Sequence, residues 1–135
     1  MLLRRPDWEK HLCAYLDANA ARPFEYGQFD CCLFAAGAVD AMCGTDFRAR
    51  WAGQYTTAAG ALRVMRRAGW DSPGGPFADA LGGAIAPLQA MRGDVVSDGE
   101  NIGLRWGAGA LFLTDDGLTE MAAAVIVRGW RVPHG

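Results

Sequence analysis

Cys31 stands where a thiol can be made reactive. It follows Asp30 and opens the run Cys31-Cys32-Leu33-Phe34-Ala35-Ala36-Gly37-Ala38-Val39-Asp40-Ala41-Met42-Cys43, which is apolar nearly all round and closes on Gly44. Such a run reads as a buried helix, with Asp30 suited to cap its first turn and Gly44 to take the left-handed position past its end. The start of a helix presents partial positive charge and free backbone N–H groups. These favour a thiolate and can hold the oxyanion formed when an acyl carbonyl is attacked. Asp30 opposes the thiolate by its charge but fixes the helix start. On the residues alone, Cys31 is either such a nucleophile or one half of a buried Cys-Cys pair.

The other groups with chemical potential are sparser. The only histidines are His11, within the first helical stretch, and His134, the penultimate residue. Both read as surface side chains. The acidic residues Asp94, Asp98, Glu100, Asp115, Asp116 and Glu120 fit no EF-hand spacing, and their Asp-Gly pairs are what hairpin turns demand, so no metal and no cofactor is expected. Cys13, Cys31, Cys32 and Cys43 lack the paired C-x-x-C spacing of a zinc site. They are expected as reduced thiols, with Cys13, Cys32 and Cys43 serving as small core residues. Trp51, Tyr55, Trp70, Trp106 and Trp130 have the chemistry to line a glycan groove, although core packing is the expectation for most of them. There is no phosphate-binding glycine loop and no Ser/His/Asp triad.

Elements to position Cys31 are legible on both sides. Trp8, Leu12, Tyr15 and Leu16 recur at helical spacing after Asp7, which predicts an amphipathic first helix. Ala20 to Pro23 breaks it, and Phe24-Glu25-Tyr26-Gly27-Gln28-Phe29 reads as an aromatic loop centred on glycine. After the buried helix, Thr56 or Thr57 opens a shorter one through Leu62, Val64 and Met65 to Gly69. Its Arg63, Arg66 and Arg67 suit a solvated, dipole-matched C-terminal end. Asp71 to Pro76 is a loop, and a short helical piece is expected around Phe77 to Leu81. Val95-Val96, Ile102 to Trp106, Ala110 to Thr114 and Val125 to Val132 carry strand signals, separated by the turn residues Ser97 to Glu100 and Asp115 to Gly117. Helices first and antiparallel strands afterwards predict an α+β domain, with the cysteine at the start of a buried helix packed on a small antiparallel sheet.

The bulk numbers restrict the partners. With 135 residues, 51% of them hydrophobic, the chain suits one domain spanning 1–135. A formal net charge of -2 gives no basic field for nucleic acid or an anionic membrane. Arg4 and Arg5 follow so closely on Leu2 and Leu3 that no secretory signal is expected, and no apolar run approaches the roughly 20 residues of a membrane span.

The segment Phe24 to Phe34 resembles the aromatic-x-Gly-x-x-Asp-Cys motif of NlpC/P60 cysteine peptidases, of the papain-like superfamily, with Cys31 at the nucleophile position. Arg92-Gly93-Asp94-Val95-Val96 resembles the Gly-Asp-apolar opening of a strand in that family, and Asn101-Ile102-Gly103-Leu104 resembles its His-Val-Gly-Ile strand. The order of Arg5-Pro6-Asp7-Trp8, Asp30 to Ala36, Gly93 to Val96 and Trp130-Arg131-Val132 is similar to uncharacterised NlpC/P60-like proteins of phages, prophages and gene-transfer-agent-like elements. The resemblance implies a NlpC/P60-like fold, with Tyr26, Gly27, Asp30, Gly93 and Asp94 supporting Cys31. It departs at one point: Asn101 stands where the family has its general-base histidine, and an amide cannot take a proton from Cys31. With that departure, the resemblance implies a catalytically degenerate module at the tip or hub of a phage-type tail, assembled in the host cytoplasm and present in several copies. Its neighbours would be other tail proteins, and it would come into contact with peptidoglycan. The alternative is an active hydrolase of peptidoglycan peptide or amide bonds, its base supplied by His134 or a neighbouring chain.

Overall fold

The computed structural model describes residues 2–135; Met1 lies outside the described residues. Four helices come first: α1 (Trp8–Asn19), α2 (Cys31–Cys43), α3 (Ala58–Arg67) and α4 (Gly75–Leu81). Five strands come after them: β1 (Val95–Ser97), β2 (Ile102–Trp106), β3 (Gly109–Thr114), β4 (Gly117–Ala122) and β5 (Arg128–Trp130). They form one antiparallel sheet in the order β4-β3-β2-β1-β5. The α+β architecture is the one the helical and alternating periodicities predict.

α2 is the centre of the core. Asp30 caps it by accepting from the Leu33 amide at 2.9 Å, and Gly44 ends it at φ 69°, so both ends are terminated by the residues suited to it. α1 lays Trp8, Leu12 and Leu16 against one side of α2, and β2 lies against another. Phe34, Val39 and Met42 of α2 thereby join Val95, Ile102, Leu104, Trp130 and Val132 in the main core. The opposite face of the sheet is covered as well, by a smaller cluster of Val96, Ala110, Phe112, Ala90 and Ile126. This is why β1 is buried along its whole length although its side chains alternate.

Three elements differ from the sequence expectation. β4 carries no strand signal beyond its turn, because Leu118-Thr119-Glu120-Met121 is a half-polar edge strand held by full pairing with β3 rather than by burial. The expected strand over Val125 to Val132 shortens to β5, since Ala123–Val125 forms a 3-10 turn. α4 begins at Gly75, inside the expected loop, with Pro76 in its first turn where a missing N–H costs nothing.

The chain ends are fastened by Asp94. Its Oδ1 accepts from Arg4 Nη2 at 2.8 Å and the Val132 amide at 3.0 Å, and its Oδ2 from Arg131 Nε and the Met91 amide, both at 2.9 Å. Arg4 also donates to the carbonyls of Val132 and Arg92 and lies over the Trp8 ring. Gly93, at φ 90°, lets the chain pass this cluster, because a Cβ there would lie 2.7 Å from Arg4 Nη1.

Candidate functional site

The Phe24–Phe29 loop doubles back on itself through paired backbone bonds between Glu25 and Phe29, and delivers the chain to Asp30. Gly27 makes this possible. It has φ 80°, and a Cβ at this position would lie 1.8 Å from the Tyr55 carbonyl oxygen. Asp30 is 4% exposed and accepts three hydrogen bonds: from Leu33 N, from Gly27 N at 3.1 Å and from the Tyr55 hydroxyl at 2.5 Å. Burial and the bond to Asp30 push the Tyr55 hydroxyl far above its ordinary pKa, so it remains a donor.

Cys31 is the first residue of α2 and faces a cleft of about 1000 Å3. Its thiol pKa is lowered. The bond from the Cys32 thiol is the main cause, burial opposes it, and the backbone amide of Ile102 assists. Asp30 acts against the thiolate by charge. Cys32 moves the other way, well up, because its proton is held on Cys31 and the thiol is buried. Its Sγ is also 3.6 Å from the Pro73 carbonyl. The opposite shifts belong to the pair of adjacent thiols rather than to either alone.

Asn101 immediately precedes Ile102 and lines the same cleft as Cys31. Its backbone amide donates to Asp98 Oδ1 at 2.7 Å and its side chain lies 3.4 Å from Asp98 Oδ2. Partial burial works against the Asp98 carboxylate, yet the amides of Asn101 and Glu100 outweigh it and hold Asp98 below the usual carboxylate range. No described residue lining the cleft is a histidine. His11 instead pairs with Asp7 at 2.9 Å on α1, and His134 sets its ring edge-on to Trp8 with centroids 6.1 Å apart.

Of the residues expected around Cys31, the structure brings together Tyr26, Gly27, Asp30 and Asn101. Gly93 and Asp94 belong to the fastening of the chain ends and do not line the cleft. The thiol expectation needs correcting at Cys13, which is exposed on α1 rather than in the core, because it faces away from Trp8, Leu12 and Leu16. Cys32 and Cys43 are half-buried, and all four cysteines are free. Among the described residues no group of three or more His, Cys, Asp or Glu is placed to hold a metal ion. Among them, too, no helix is long and apolar enough to cross a membrane.

Sequence reasoning missed Tyr55 as the partner of Asp30, since nothing local links positions 25 residues apart. It also underused α3. No residue of α3 is buried, and Ala61, Leu62 and Met65 line the cleft, as do Trp51 and Trp70. A strongly amphipathic helix with no covered face was the available signal.

A family described as Domain of unknown function (DUF6950) matches residues 3–132, and the chain belongs to that family. Comparison with curated proteins and with solved structures gives no match.

Proposed function

We propose that this DUF6950 member is a NlpC/P60-like domain with a degenerate catalytic site, serving as a structural or wall-recognition module at the tip or hub of a phage-type tail. The observation that carries the reading is the cleft itself. Cys31 opens a capped, buried helix at its wall, Asn101 lines the same space, and no imidazole does among the described residues. A thiol without an imidazole beside it lacks half of the Cys/His pair that acyl transfer uses. The tail setting draws on the order of motifs along the chain, and its partners would be other tail proteins, with peptidoglycan as the surface approached. Purified protein incubated with peptidoglycan should leave it intact, and Cys31→Ala should change nothing. Release of muropeptides that depends on Cys31 overturns the reading. Detection of the chain in purified tail particles checks the setting, and its absence from them overturns that part.

A second reading, an active thiol hydrolase of peptidoglycan, is favoured by one observation: Cys31 opens the capped helix α2 at the cleft wall, where free backbone amides favour a thiolate without a histidine. In that case Cys31-dependent cleavage would be observed with the purified chain.

A further inference from the structure

The cleft is segregated by charge. Asp30, Asp71, Asp98, Glu100 and Asp115 line it, and among its described lining residues there is no lysine, arginine or histidine. Composition does not require this, since the whole chain has 13 Lys and Arg against 15 Asp and Glu. The cations of α3 are turned elsewhere: Arg63, Arg66 and Arg67 are exposed, and Arg63 and Arg67 line a separate recess. Asp30 is buried yet belongs to none of the ion pairs, its charge being met only by neutral donors. Asp71, Glu100 and Asp115 are exposed and, among the described residues, belong to no ion pair either. They come from three separate loops, the α3–α4 connection and the β1–β2 and β3–β4 turns, so the negative lining is assembled from segments distant in the chain.

Between these carboxylates the walls are apolar. Leu62 is 47% exposed, and with the half-buried Met65, Trp51 and Trp70 it contributes apolar surface to the cleft. Apolar area of this kind, beside charge of one sign, has the build of a recognition site, and the sign selects the occupant. An anionic ligand would meet the exposed carboxylates of Asp71, Glu100 and Asp115. A cationic one would compensate them.

We propose that the cleft docks a short segment of a partner protein that is both apolar and cationic. Its aliphatic or aromatic side chains pack on α3, Trp51 and Trp70, and its lysine or arginine groups face Asp71, Glu100 and Asp115. This goes beyond the degenerate-domain reading and does not require Cys31 to react. The volume, about 1000 Å3, is at the upper end for small-molecule sites and accommodates several residues of extended chain.

The test is calorimetric titration of the full chain with two capped hexapeptides, one alternating lysine and leucine, the other alternating glutamate and leucine. The lysine peptide should bind, more weakly as salt is raised, and the glutamate peptide should not. Combining Asp71→Asn, Glu100→Gln and Asp115→Asn, all at exposed positions, should weaken the lysine peptide by about tenfold. Leu62→Ser should weaken it through lost apolar contact. Equal binding of the two peptides, no binding of either, or an unchanged affinity in the triple variant overturns the proposal. Hexylamine binding as tightly as the peptide would assign the cleft to small amines and overturns the protein-segment occupant. Because the readout is binding, failure here is distinct from any finding on peptidoglycan cleavage.

Discussion

Asp94 and Asp30 are both buried carboxylates saturated with hydrogen bonds, and they differ in what neutralises them. Asp94 takes two guanidinium groups, Arg4 and Arg131, together with two amides. Asp30 takes two amides and a phenol, and no cation. A charge removed from water needs compensation, and the two sites obtain it differently. At Asp94 it comes from opposite charge within the fold, which ties residues 4, 91, 131 and 132 together and leaves nothing for a ligand. At Asp30 it comes from neutral dipoles and the start of α2, which leaves negative charge beside an open cleft and a thiol. The first arrangement closes the molecule. The second keeps a region of it available.

The comparison predicts the largest stability loss at Asp94. Asp94→Ala strands Arg4, whose side chain is 2% exposed, and should cost about 3–5 kcal/mol in urea unfolding. A loss no larger than that at an exposed carboxylate would remove the distinction. Gly27→Ala comes next. The added Cβ meets the Tyr55 carbonyl and the backbone is held at positive φ, so a loss of about 1–3 kcal/mol is expected, together with weakened support of Asp30 by Tyr55. Asp30→Ala removes the cap of α2 and should cost about 1–2 kcal/mol by thermal unfolding, while Asp30→Asn should recover much of it.

The smallest effect on stability, and the sharpest on the site, is in pH. Cys31 is shifted down, so its alkylation by iodoacetamide should reach half its maximal rate below the free-thiol pKa of about 8.5. Cys43, pushed up to about 11 by burial, should lag far behind. Peptide mapping after pulses at a series of pH values separates the two. The linkage signs are opposite. The Cys31 contribution to stability is present above the unfolded pKa and is lost as pH falls through the folded one. The raised pKa of Cys43 costs stability as pH rises from about 8.5 towards its folded value. Alkylation of Cys31 no earlier than that of Cys43 would show that the Cys32 thiol and the Ile102 amide do not activate it.

Local chemistry explains which parts were legible in the chain alone. Asp30 and Gly44 mark the ends of α2, Thr57 caps α3 and Gly69 lies just past its end, and the Asp-Gly turns separate β1 from β2 and β3 from β4. Each is a short-range signal that does not depend on what lies across the fold. β4 was not legible, because an edge strand is specified by its neighbour's hydrogen bonds and need not alternate strictly in hydrophobicity.

The site divides along the same line. Sequence determined that a cysteine opens a capped, apolar helix and that asparagine stands at residue 101, since caps and residue identities are local facts. Only the tertiary structure decided that Tyr55 holds Asp30, that the Ile102 amide lies by Cys31, and that Asp94 fastens the chain ends instead of serving the cleft. It also gathered carboxylates from separate loops around one apolar space and turned the arginines of α3 away. Those facts rest on contacts between residues far apart in the chain, and no periodicity or spacing encodes which distant groups packing will bring together.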